Sequence, residues 1–199
     1  KYKKTLLTQK NKIITDIDLL YLDNHNLKSI VVTGSNGKST TSKIIAHLLH
    51  KNKYKVKLGG NIGTPVLNLK LQKNIFFVIE ASSFQLSHSQ FISPNYAVLL
   101  NIANDHLDWH GSMKDYTNSK LKIFNLQNKK NIDLIKKKLI GSFKKKNFSS
   151  KLVQIKIKEY KNIKSKIKNS YLNSNVNDEN MSFAYTISKL LKISNKSFI

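Results

Sequence analysis

The chain has 199 residues, 40% of them hydrophobic, a formal net charge of +24 and no cysteine. That length suits one compact domain, or one domain with a short arm, and such a domain buries about 70% of its unfolded surface without covalent staples. The composition excludes a disulfide scaffold, a thiolate zinc site and a cysteine nucleophile, and no apolar run approaches the roughly 18 residues that span a bilayer.

Residues 1–12 are polar and basic and read as an arm or a linker remnant. They lack the apolar centre of a signal peptide, so a cytoplasmic protein is expected. The first residue is Lys1, as in a piece or a trimmed product of a longer chain. Residues 29–33 are a β-branched run that predicts a buried strand ending at Gly34. A glycine-containing turn leads to residues 38–51, where Ile44, Ile45, Leu48 and Leu49 form one helical face. Residues 54–58 predict a second strand, followed by the loop Gly59-Gly60-Asn61-Ile62-Gly63-Thr64-Pro65. Residues 75–81 and 96–102 are near-continuous apolar runs, as expected of strands covered on both faces. Residues 113–126 carry helical spacing through Tyr116, Leu121, Ile123 and Phe124. From 129 to 175 lysine runs obscure the pattern, with one strand expected at 152–157, and residues 178–191 read as a helix. Strands alternating with helices predict an α/β fold, a doubly wound and mostly parallel sheet flanked by helices.

Thr33-Gly34-Ser35-Asn36-Gly37-Lys38-Ser39-Thr40 lies between a predicted strand and a predicted helix. In that context glycines let successive N–H groups face one anion, and the helix N-terminus adds partial positive charge. Lys38 could reach the β- and γ-phosphates of a nucleotide, and the Ser39 hydroxyl could ligate Mg²⁺. The usual G-x-x-x-x-G-K-[ST] pattern would place its first glycine at Val32, whereas here it falls on Gly34. Glu80 ends the third strand, at the edge where open α/β sheets bind ligands. Taken alone it reads equally as a carboxylate turned to water or as a Mg²⁺ ligand; with a phosphate loop on a neighbouring strand, the Mg²⁺ reading is the expected one. His106, in Asn101-Ile102-Ala103-Asn104-Asp105-His106, reads by itself as a hydrogen-bonded turn residue, with metal or phosphate contact the alternative. Lys120 reads locally as an exposed helix lysine.

A charge of +24 also admits a polyanion partner. The positive charge is all lysine, however, and arginine, which supplies bidentate base contacts, is absent. The abundance of Lys, Asn and Ile is what AT-rich codons deliver. No specific nucleic acid or membrane partner is expected, and a basic P-loop module that binds nucleic acid stands as an alternative.

The phosphate loop resembles the shortened one of the Mur ligases and folylpolyglutamate synthases. The block at 59–65 resembles a further Mur ligase block. Glu80-Ala81-Ser82-Ser83-Phe84-Gln85-Leu86 is similar to the block of the D-glutamate-adding branch, as are residues 101–112, Tyr116 and Ser119-Lys120. The resemblance implies that residues 13–199 are the central ATPase domain of a three-domain ligase. Its fold would be a P-loop-type, mostly parallel sheet flanked by helices. The UDP-binding N-terminal domain and the C-terminal domain would be absent here, leaving the core inactive alone. The implied reaction is peptidoglycan synthesis, in which ATP activates the carboxylate of UDP-N-acetylmuramoyl-L-alanine for attack by D-glutamate, in a cytoplasmic monomer. A folylpolyglutamate synthase-like ligase is the alternative that residues 82–86 disfavour. The resemblance implies ATP contacts at Gly34, Ser35, Asn36, Gly37, Lys38, Ser39, Thr40 and Asn180. It implies substrate contacts at Asn61 and Ser82, and up to two Mg²⁺ held by Ser39, Glu80, His106 and a carbamylated Lys120. Lys38, His106 and Lys120 would be the catalytic residues. Asn177 and Asn180 resemble a family Asn-x-x-Asn pair near the adenine, but Val176 replaces the usual histidine before it.

Overall fold

The computed structural model describes residues 13–24, 27–70, 72 and 74–199, so the arm expected at 1–12 lies outside the described residues. Strands β1 (Lys28–Thr33), β2 (Lys55–Gly60), β3 (Ile75–Glu80), β4 (Tyr96–Leu99), β5 (Ile132–Lys136) and β6 (Lys151–Ile155) form one sheet in the order β2-β3-β1-β4-β5-β6. Every pairing of these strands is parallel. The chain first builds outward to β2 and β3, then crosses β1 to lay down β4, β5 and β6. The crevice of such a sheet opens beyond the carboxyl ends of the strands where this direction reverses, here around β1.

Helices cover both faces. Helices α2 (Lys38–Lys51), α7 (Ile157–Lys164), α8 (Asp178–Leu190) and α9 (Asn195–Phe198) cover one face. There Ile45, Leu49, Tyr160 and Phe183 meet Ile30, Val32, Val78, Val98 and Leu134 of the strands. The opposite face carries α1 (Asp16–Asp23), α3 (Ser83–His88), α5 (Met113–Leu121) and α6 (Ile140–Lys144). Here Ile17, Leu86, Leu121 and Phe143 pack on Val31, Phe77, Ile79, Ala97 and Ile135. Alternate residues of β1 enter opposite cores, and Ser29 through Thr33 are all buried. This is why the run reads as continuously apolar rather than alternating.

The expected elements occur with adjusted ends. The fourth strand stops at Leu99: Leu100 N–H still donates to Thr33 O, but Asn101 then turns its side chain to the phosphate loop and the pairing ends. The helix expected over 113–126 ends at Leu121 and tightens into a 3₁₀ turn over Lys122–Phe124. Within 129–175, β5, α6 and α7 emerge alongside the expected strand, which runs Lys151–Ile155. Among the described residues no helix is long and apolar enough to cross a membrane.

Candidate functional site

The phosphate loop joins β1 to α2. Gly37 occupies the cap position of α2 at φ 83°, a left-handed conformation natural to glycine. A Cβ there would collide with Asn180 Oδ1, so glycine also lets α8 pack against the loop. The N–H groups of the first turn of α2, from Lys38 through Thr40, have no intrahelical acceptor and point out of the helix end. Lys38 Nζ folds back to donate to Gly34 O at 3.0 Å and Ser35 O at 2.9 Å. These are bonds that an arriving anion can compete for.

The loop is anchored from behind. Ser35 Oγ accepts from Ala103 N–H at 2.9 Å and lies 2.8 Å from Tyr116 OH, so the Ser35 side chain holds the loop to α5 rather than facing a ligand. Asn36 N–H donates to Asn101 Oδ1 at 2.9 Å and supports the turn in the same way. Asn180 Oδ1 accepts from Thr41 Oγ1 at 3.1 Å, and Asn180 Nδ2 donates to Asn177 Oδ1 at 3.0 Å. The pair Asn177 and Asn180 is thus buried and braces α8 against α2.

Glu80 meets the loop across the sheet edge. Its backbone pairs with Val32 on one side and Gly60 on the other. Gly60, at φ 108°, lets the chain after β2 close on Glu80, where a Cβ would strike the Glu80 carbonyl oxygen. This brings Asn61 Nδ2 to Glu80 Oε1 at 3.0 Å, while Ser39 Oγ donates to Glu80 Oε2 at 2.7 Å. The carboxylate is therefore buried and hydrogen-bonded, not turned to water. A hydroxyl and a carboxylate side by side are hard oxygen donors. No group of three or more His, Cys, Asp or Glu suited to a metal occurs among the described residues. Such a donor set fits Mg²⁺, which takes its remaining ligands from phosphate oxygens and water.

Lys120 is 1% exposed, which corrects the expectation of a surface lysine. It lies one helical turn after Tyr116, so both project from α5 into the same interior. Its Nζ donates to Gly34 O at 2.9 Å and sits 4.5 Å from the Tyr116 ring centre. Burial, and then the nearby Lys38 ammonium, pull its pKa down to about 7 against the opposing pull of Asp105. His106, the residue before α4 (Leu107–His110), adopts φ 51°, and its ring lies against Phe84 with centroids 4.7 Å apart. Ser82 caps α3, accepting from Gln85 N–H at 3.2 Å and donating to Gln85 Oε1 at 3.1 Å. One cavity of about 90 Å³ brings together Lys38, Asn61, Ser82, His106 and Lys120, with Phe84, Asp105 and Tyr116 in its wall. A second cavity, of about 480 Å³, opens from Ser39 and Thr40 along α2 past Lys43, Ile44 and His47 to Tyr171 and Leu172. Nothing in the sequence singles out this second cavity, because its lining comes from one exposed helix face and a lysine-rich loop.

Comparison with known proteins follows the same residues. A family model described as the Mur ligase middle domain matches residues 32–196. The UDP-N-acetylmuramoylalanine--D-glutamate ligase of Rickettsia prowazekii (strain Madrid E) is 37% identical over 207 residues, covering 94% of this chain and 46% of that protein. The protein of the same name from Wolbachia pipientis wMel is 50% identical over 115 residues, 57% of this chain and 22% of that protein. The chain thus spans less than half the length of these relatives. Among solved structures, MurF from Acinetobacter baumannii superposes with a TM-score of 0.66 at 16% identity, over 92% of this chain and 46% of that one, a likeness of fold. MurF ligase from Thermotoga maritima in complex with ADP gives a TM-score of 0.56 at 25% identity, over 70% of this chain and 35% of that one.

Proposed function

Because the chain belongs to the Mur ligase family through its middle domain, we propose that residues 13–199 are the ATP-using core of a ligase that adds D-glutamate to UDP-N-acetylmuramoyl-L-alanine. The observation that carries this reading is the cavity in which the phosphate-loop lysine faces Asn61, Ser82, His106 and the buried Lys120. The names of the relatives supply the substrates.

A carboxylate is a poor electrophile until one of its oxygens becomes a leaving group. In this reading a carboxylate oxygen of the alanyl group attacks the γ-phosphorus of ATP, and the bond to ADP breaks. The D-glutamate amine then attacks the acyl carbon and loses its proton to solvent, and inorganic phosphate leaves the tetrahedral intermediate. The N–H groups of Gly37, Lys38, Ser39 and Thr40 hold the β- and γ-phosphates at the N-terminus of α2. Gly34, Ser35 and Asn36 shape that cradle. Lys38 leaves Gly34 O and Ser35 O and follows the transferring phosphoryl charge. Asn61 and Ser82 orient the carboxylate beside it. The base and ribose enter the larger cavity toward Tyr171, whose side is braced by Asn180 and Asn177.

Ser39 and Glu80 would hold one Mg²⁺, and His106 with a carbamylated Lys120 a second, neutralising phosphate charge and polarising the phosphoryl group when bound. Carbamylation needs a neutral amine, and burial of Lys120 supplies it. The ammonium first gives up one proton; the neutral nitrogen then bonds to the carbon of CO₂ as a C=O π pair moves onto oxygen and a second proton leaves the nitrogen, so a cation becomes an anion. The reaction belongs in the cytoplasm, in a monomer without nucleic-acid or membrane partners.

The test uses the full-length protein that carries this chain. Lys120→Ala is expected to lower ligation by about 10³-fold, with partial recovery when a short-chain carboxylate such as acetate is added. Wild-type activity in that variant would sink the carbamate assignment.

A further inference from the structure

The phosphate loop is held by a set of side chains that the proposed reaction does not use. Asn101, just beyond β4, bonds Asn36 at both ends of its backbone, with Oδ1 accepting from Asn36 N–H at 2.9 Å and Nδ2 donating to Asn36 O at 3.1 Å. Its own backbone oxygen accepts from Ser35 N–H at 3.0 Å. The second proton of Asn101 Nδ2 goes to Glu179 Oε1, in the first turn of α8, at 2.9 Å. The other oxygen of Glu179 accepts from Lys136 Nζ, at the end of β5, at 2.6 Å. The Asn101 carboxamide has one orientation that satisfies all its neighbours. Turned over, it would set Nδ2 against the Asn36 N–H and Oδ1 against two acceptors.

We propose that Lys136, Glu179 and Asn101 form a positioning relay that fixes the Asn36 peptide and so holds the phosphate loop in its nucleotide-binding shape. Lys136 aims the Glu179 carboxylate, Glu179 fixes which way the Asn101 amide points, and Asn101 clamps the loop. The inference rests on the reading of this loop as a nucleotide site. It draws its end group from the stretch where lysine runs hide every individual lysine.

A carboxylate near an anion site makes the relay separable from simple electrostatics. By field alone, removing Glu179 would tighten phosphate binding. By the relay, it frees the Asn101 amide and loosens binding. The measurement is calorimetric titration of the full chain with Mg·ADP, with melting temperature read in parallel. Glu179→Ala is expected to bind about tenfold more weakly, and Glu179→Gln, which keeps an acceptor for Asn101, within about twofold of wild type. The exchange Lys136→Glu with Glu179→Lys restores an ion pair but presents a donor to Asn101 Nδ2. It is expected to recover melting temperature and not affinity. Glu179→Ala binding as tightly as wild type or tighter would overturn the relay, as would full affinity in the exchanged pair. If Glu179→Ala does not fold, the contrast between Glu179→Gln and the exchanged pair decides. A wild-type chain that binds no Mg·ADP would instead fail the nucleotide reading itself, a result distinct from equal binding by all variants.

Discussion

Lys120 and Asp133 are both buried and both driven toward their uncharged forms, for different ends. Lys120 sits in the site, where a neutral amine is useful. Asp133, on β5, is buried with Ser150 Oγ donating to one carboxyl oxygen, and burial lifts its pKa to about 7 despite that hydrogen bond. Among the described residues its other oxygen has no hydrogen-bond partner, and neither does Gln127 Oε1. A folded-state pKa above the ordinary carboxylate value means that the fold binds this proton more tightly than the unfolded chain does. The resulting stabilisation is complete below about pH 4 and is lost as pH rises through 7. Asp133→Asn is therefore expected to remove about 2 kcal/mol of the stability difference between pH 5 and pH 8. Thermal melts of both proteins at the two pH values check it, and an unchanged difference would contradict it. The site's residues are legible in the sequence to unequal degrees. The phosphate loop and Glu80 stand out because their positions at the ends of a strand and a helix carry the meaning. Lys120 does not, because only its burial distinguishes it from the other lysines, and burial arises from packing against Tyr116 and the phosphate loop. Lys136 and Glu179 are hidden because only the ion pair that the fold brings about between them sets them apart from other charged residues.

At the scale of elements, α1 is tied to the loop after α3 by one buried carboxylate. Asp18 accepts from Ser89 Oγ at 2.6 Å, Gln90 N–H at 3.0 Å and Phe91 N–H at 2.8 Å. Asp16 accepts from Gln85 Nε2 at 3.1 Å, and Gln85 in turn caps Ser82. Asp18→Ala strands several buried donors and is expected to cost about 3 kcal/mol, or about 8 °C in melting temperature. Mg·ADP affinity is expected to stay near wild type, because Ser89, Gln90 and Phe91 lie away from the phosphate loop. A melting temperature within a degree or two of wild type would contradict this. Strands β1, β3 and β4 are readable in the sequence because they are apolar runs buried on both faces, whereas β2 lies at the sheet edge, is only partly buried and is read from the alternation of Lys with Val and Leu. β5 is not readable, because the carboxyl residue Asp133 interrupts its five residues. α3 has six residues, three of them Ser or Gln, and is specified by the Ser82–Gln85 capping box rather than by apolar spacing.

For the whole molecule, the charge of +24 stands apart from the chemistry of the site. Among the described residues, many of its lysines lie on exposed helix faces and in the segment between β5 and α8. Retention on DNA or RNA is expected at low salt, lost by about 200 mM, and unaffected by Lys38→Ala. Filter binding across a salt series checks this. Retention that survives high salt, or that needs Lys38, would favour a nucleic-acid role. This chain covers 46% of the Rickettsia prowazekii relative, so the proposed activity is measured on the full-length protein that carries it. The decisive measurement is inorganic phosphate release by the full-length protein with Mg·ATP and UDP-N-acetylmuramoyl-L-alanine, with and without D-glutamate. Steady release is expected only when D-glutamate is present. No release, or release indifferent to D-glutamate, would contradict the assignment and move the substrate to another ligase of this fold.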